Sequence, residues 1–303
     1  MMRSLKFGHW VALLSMAALV ASCGETRETA WETTEGAGAL DAATQAKVAD
    51  LLQQANVAWD GRTDVAQAEA AVAALQAATE LDPGNADALS NLSHAIYFLA
   101  DCHYRFDEDK PELHKSTHEQ GTKAGERALA AMSPDFAEKM AAGARVEDAL
   151  DTLDRSAVPA LYWRATNLGR WASLESFATL LSYKDEIRAV LEFCLAQDPL
   201  YWYQAADRYF GVFYARAPGF AGGDMKKSAS HYNIAMEANP DYWGNQVSMA
   251  EEWAIKEDNR ALYEELLNYV LAGDPNVIPY IKPENLCEQR KAQILMDDIE
   301  EYF

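Results

Sequence analysis

IRAVLEFCLAQDP, residues 187–199, reads as a helix that stops at a proline. Ile187, Val190, Leu191 and Cys194 fall three, four and seven positions apart, the spacing of one helix face. The same polar step into proline ends ATELDP (78–83), AMEANP (235–240) and VLAGDP (270–275). Proline suits that place because it ends one helix and can open the next. The last three of these prolines are 41 and 35 residues apart, close to the period of about 34 in tetratricopeptide repeats. Ala78 and Ala235 lie five residues before their prolines, where a small side chain lets paired helices approach. Cys194 is a small substitute there, and Val270 departs from the pattern. Eight residues before, Leu75, Leu191, Tyr232 and Leu267 are bulky.

Working outward, Val48, Leu51, Leu52, Ala55 and Trp59 share a helix face. So do Val65, Ala68, Val72 and Leu75, then Leu89, Leu92, Ile96 and Leu99, and the larger set Trp202, Ala206, Tyr209 and Phe213. Alternating β-branched runs and hairpin signals are missing. The expectation is an all-α fold of about a dozen helices, a tetratricopeptide-like array of helix pairs (an α-solenoid) over 41–303. Residues 105–183 fit the period badly and read as inserted or divergent helices.

The chain has 303 residues, half of them apolar and 11% aromatic, which excludes a disordered polypeptide. Its 47 acidic against 26 basic residues argue against binding nucleic acid, or anionic lipid through a basic patch. MMRSLKFGHWVALLSMAALVASC, residues 1–23, has the charged start and short apolar run of a signal peptide. Small residues before Cys23 resemble the bacterial lipobox, so 1–22 is expected to be removed and Cys23 lipidated. Gly24 after the cysteine favours the outer membrane, with the domain facing the periplasm. Residues 23–40 then read as the lipidated cysteine and a flexible tether. Cys102, Cys194 and Cys287 allow at most one disulfide within the chain, and Cys194 is expected to be a small apolar helix residue.

Two segments stand apart from the scaffold. AVPALYWRATNLGRWASLESFATLL, 157–181, is apolar almost all round, the mark of a helix buried on several sides. Trp163, Asn167 and Arg170 or Trp171 share a broad face. Such a helix either ties neighbouring helices through its polar groups or lines an apolar cavity with a few polar groups to orient a ligand. The second segment is FGVFYARAPGFAGGDMKKSASHY, 210–232. Asp224 is placed to cap the helix starting at Met225, with Gly222 and Gly223 allowing a tight turn. Arg216 can meet a ligand carboxylate or form a structural ion pair.

Catalytic motifs are missing: there is no GxSxG, HExxH or phosphate loop. His114 and His118 have a metal-compatible spacing, but HKSTHEQGTK reads first as a solvated, charge-rich helix face. No enzyme activity, cofactor or metal is expected.

LYWRATNLGRWA (161–172), GVFYARAPGFAGGD with its following helix (211–238), and LCEQRKAQILMDDIEEYF (286–303) resemble the T-component (TatT) family of tripartite ATP-independent periplasmic (TRAP) transporters. The likeness runs from about residue 45 to the end. It implies a lipoprotein of tetratricopeptide-like helices around a central apolar helix, acting as a homotrimer with a hydrophobic pore through each subunit. The implied partners are a substrate-binding P-component and a hydrophobic or amphipathic small molecule, which can be a lipid. Tyr162, Trp163, Trp171 and Tyr214 are then candidate lining residues, with Asn167 and Arg216 as polar handles. The alternative is a cell-envelope scaffold lipoprotein that assembles other proteins on a polar concave groove.

Overall fold

A computed structural model describes residues 27–31 and 39–303. The segment expected to be a signal peptide, Cys23 and most of the expected tether lie outside the described residues. The described residues form thirteen α-helices and no strand. Five consecutive antiparallel pairs build an array: α1 (Ala42–Asp60) with α2 (Val65–Leu81), α3 (Ala86–Cys102) with α4 (Pro111–Met132), then, after α5 (Pro134–Ala141) and three short 3-10 turns, α6 (Val158–Glu175) with α7 (Phe177–Gln197). The fourth pair is α8 (Tyr201–Arg216) with α9 (Met225–Ala238). The fifth is α10 (Gly244–Met249), prolonged by a π-helical turn at Ala250–Ala254, with α11 (Arg260–Ala272). Helices α12 (Lys282–Asp297) and α13 (Ile299–Tyr302) end the chain.

The proline steps do what their spacing implies. Helices α2, α7 and α9 end just before Pro83, Pro199 and Pro240. Each closes with an Asp or Asn whose N–H bonds back to the carbonyl of Ala78, Cys194 or Ala235. Those three small residues are fully buried, and so is Val270 at the fourth step, which shows that a larger residue fits there. Helix α11 ends differently, at Gly273, whose missing Cβ makes room for the Trp243 ring. The starts follow side-chain capping: Asp41, Asp64, Asn85, Ser176, Asp224 and Asn259 each accept a backbone N–H of the first turn. The poorly periodic 105–183 region contains α5 and the 3-10 turns, which intervene in the chain between α4 and α6 although these two helices pack directly on each other.

Two features go beyond an open array. First, residues Arg27–Trp31, within the expected tether, pack against the helices. Trp31 is buried, edge-on to Phe136 and 4.5 Å below the Arg164 guanidinium. Arg27 pairs with Glu126, which also accepts Arg164 at 3.2 Å and the Ala30 N–H at 2.7 Å. Glu126 is fully buried, and these donors satisfy both of its oxygens.

Second, α12 returns to the beginning of the chain. Arg62, in the α1–α2 loop, forks onto Glu284 at 3.1 and 2.7 Å. Cys102 at the end of α3 is disulfide-bonded to Cys287, and Lys291 meets Asp101 at 2.6 Å. The array is thereby closed by its last long helix. Cys194 remains a free, buried thiol, and burial pushes its pKa up to about 12.

Candidate ligand-binding cavity

Helix α6 is buried on nearly every side from Val158 to Leu168. It crosses α4 at Gly121 and Gly125. A Cβ on either would stand 2.5 Å from Asn167 or Arg164, so glycine is what lets the two helices meet. Asn167 ties three elements: its amide donates to the Ser93 carbonyl at 3.0 Å and to the Trp163 carbonyl at 2.9 Å. Its oxygen therefore accepts from His118 Nδ1 at 3.0 Å. This corrects the reading of 114–123 as a solvated face: His118 is fully buried, and burial pulls its pKa down to about 3.

The other side of α6 looks into a cavity of about 180 Å³, bounded by α3, α6, α7, α8, α10 with its π turn, and α12. An engineered apolar cavity of roughly 150 Å³ holds a benzene. This one therefore has room for a ring or a stretch of alkyl chain. One wall is apolar, with Phe98, Trp163, Leu181, Trp202 and Phe213. His94 belongs to it: its ring stacks on Trp163 at 3.8 Å, and burial lowers its pKa to about 3, so it is neutral at physiological pH. Phe177 lines the cavity while 61% exposed, which marks where the wall meets solvent.

The charged lining residues are internally paired around Asp101, Glu251 and Glu252. Asp101 meets Lys291, Arg105 at 3.6 Å and Arg170 at 3.8 Å. Burial raises its carboxyl, but Lys291, Arg170 and Arg105 together hold it well below the ordinary value. Glu251 meets Arg105 at 3.0 Å and Glu252 meets Arg216. Burial pushes Glu251 up as well, and Arg105 and Arg170 outweigh it. The two consecutive glutamates both line the cavity because they sit in the π turn, a rare local geometry that recurs at functional sites.

A second irregularity lies at the start of α8. Trp202, Tyr203 and Gln204 are left-handed, with φ of 43°, 59° and 55°. None is glycine, and each costs about 1–2 kcal/mol in that conformation. Packing holds the turn. Trp202 lies edge-on to His94 and Trp163 at 4.6 and 5.3 Å, and Tyr203 stacks on Tyr242 at 4.9 Å. Strain that persists in this way points to function.

Of the residues singled out in the sequence, Tyr162, Trp163 and Arg216 line the cavity. Asn167 sits behind its wall in the bonds described above. Trp171 packs edge-on to Tyr183, and Tyr214 stacks on His231, both away from the lining. Arg216 forks onto Glu252 and reaches Ser173 at 3.3 Å, the structural ion pair. Sequence reasoning missed Arg208, Trp202, Tyr242 and the Glu251–Glu252 pair. Arg208 did leave a signal. It lies in the aromatic run YWYQAADRYF with no acidic residue three or four positions away, in a chain rich in acids.

The family model described as TRAP transporter T-component matches residues 99–303. The chain belongs to this family. The match takes in every helix around the cavity except most of α3. A T-component is a transport accessory, not a member of an enzyme family. The chain is also similar to an uncharacterized protein of Treponema pallidum (strain Nichols), 26% identical over 193 residues, 61% of this chain and 58% of that protein. The alignment thus spans less than two thirds of that relative's length. No helix among the described residues is long and apolar enough to cross a membrane.

Proposed function

We propose that this T-component is a periplasm-facing lipoprotein that holds a hydrophobic or amphipathic small molecule in the cavity beside α6 and docks a substrate-binding P-component. The observation that carries the reading is the cavity: an aromatic lining together with a small set of mostly paired charged groups, inside a closed helical array. An apolar pocket with a few convergent polar groups is the form small-molecule sites take. The scaffold alternative calls for a polar concave groove as the main binding surface, with no tunnel. Here α12 bridges the two ends of the array, so no observation favours it.

Anchoring through Cys23, attachment to the outer membrane and assembly as a homotrimer are parts of the same proposal. The P-component is sought by mild cross-linking of cells and purification of this protein. The expected outcome is a periplasmic substrate-binding protein in the cross-linked species. Recovery of the protein without one contradicts the docking half. For the anchor, Cys23→Ser is expected to move the protein from the membrane fraction to the soluble one, and an unchanged distribution contradicts lipidation.

A further inference from the structure

The cavity's arginines have carboxylate partners, with one exception. Arg105 has Glu251 and Asp101, Arg170 has Asp101, and Arg216 has Glu252. Arg208 has only neutral ones. Its Nη1 donates to Asn245 Oδ1 at 3.0 Å and to the Tyr203 carbonyl at 3.4 Å, and its Nη2 donates to the Tyr162 hydroxyl at 3.1 Å. The guanidinium carbon lies over the Tyr242 ring, 4.6 Å from its centre. Three of its five N–H groups are thus used, and two remain. The side chain lines the cavity and is 9% exposed.

A buried cation without an anion is unfavourable, and this chain has carboxylates in abundance. What surrounds Arg208 instead is machinery that orients it. The Asn245 amide donates to the Ala235 carbonyl at 3.1 Å, which turns its oxygen toward the arginine. The left-handed turn supplies the Tyr203 carbonyl and, one residue earlier, the Trp202 ring of the apolar wall. The Tyr242 ring packs against both the Arg208 guanidinium and the stacked Tyr203 ring. The fork is thus positioned by neutral groups, its charge unneutralised, in the same cavity as the apolar wall.

We propose that Arg208 is the head-group site of the cavity and binds the carboxylate of a monoanionic amphiphile, an alkyl or aryl carboxylic acid, whose apolar part lies against Trp163 and Trp202. Two free N–H groups match the two oxygens of a carboxylate, and one unpaired cation calls for one negative charge. A phosphate monoester would bring a surplus charge into a cavity whose other cations are already paired. This inference rests on the reading of the cavity as a ligand site and specifies the ligand's chemistry.

The test is calorimetric titration of the purified protein with decanoate, 1-decanol and decyltrimethylammonium at neutral pH. Charge-assisted hydrogen bonds of this kind translate into roughly 10- to 100-fold in affinity. Decanoate is expected to bind at least about tenfold tighter than 1-decanol, and the cation weakest. Arg208→Met is expected to bring decanoate down to the level of 1-decanol while leaving 1-decanol nearly unchanged, with Arg208→Lys in between. Equal affinity of the wild-type protein for decanoate and 1-decanol overturns the head-group assignment and leaves the cavity reading standing. Failure of all three to bind overturns both. Should Arg208→Met not fold, the wild-type ratio of decanoate to 1-decanol decides alone.

Discussion

Acid should destabilise this protein well before its carboxylates are protonated, because of two histidines buried in the neutral form. His118 and His94 have pKa values of about 3 in the folded protein, against an ordinary 6.5, through burial. A histidine whose folded pKa is lowered takes up its proton in the unfolded chain first. Below about pH 6.5 the unfolded state therefore binds more protons, and stability falls as pH falls, down to about pH 3. For a shift of this size the loss between pH 7 and pH 5 is about 2 kcal/mol per histidine. His118 is fully buried and should show all of it, whereas His94 faces the cavity, where solvent screens part of it. The pair should therefore remove roughly 2–4 kcal/mol over those two pH units. Asp101, held low by Lys291 and the arginines, adds its own loss only below about pH 4. Glu284, whose carboxyl burial pushes up against the pull of Arg62, acts weakly in the opposite sense. The assay is urea denaturation followed by circular dichroism at half-unit steps from pH 7 to pH 5. His118→Gln should flatten the slope by about half or more, whatever its effect at pH 7. A stability that is level across this range, or a slope that His118→Gln leaves intact, refutes the argument that these rings are held neutral.

Three further outcomes follow from particular contacts. Gln204→Gly should raise or preserve the melting temperature, because glycine carries no penalty at a φ of 55° and the Gln204 side chain makes no hydrogen bond among the described residues; Gln204→Val should lower it. Cys102→Ser with Cys287→Ser should cost about 2–5 kcal/mol in denaturant unfolding, since the disulfide closes a loop across 185 residues, and no change under reducing and oxidising conditions contradicts it. Trp31→Ala, which empties a site between Phe136 and Arg164, should speed amide exchange around Glu126 and lower stability by about 2–4 kcal/mol; unaltered exchange there would show that residues 27–31 contribute nothing.

What the sequence made legible was local. The proline steps, the small residues five positions before them and the Asp224 cap are short-range relations, and each has the structural role its spacing implies. The buried character of 157–181 was legible for the same reason, because an all-round apolar helix has no solvent face. The closure of the array was not. It depends on Arg62 meeting Glu284 and on Asp101 meeting Lys291, pairs separated by some two hundred residues that no periodicity links. The cavity's charged lining escaped for a related reason. Nothing in the sequence sets Glu251 and Glu252 apart, and both reach the cavity from the π turn. Tyr214 and Trp171 were singled out for their residue type, yet helix rotation sends them to other neighbours.

The central claim is that the space beside Trp163 and Trp202 holds a small amphipathic molecule. Native mass spectrometry of the purified protein, after exposure to a total lipid extract and removal of excess, measures this directly. The expected spectrum carries one small-molecule adduct per chain, and Val212→Trp, which fills the cavity from α8, abolishes it. Bare protein in both samples, or the same adduct on Val212→Trp as on the wild type, would contradict the account.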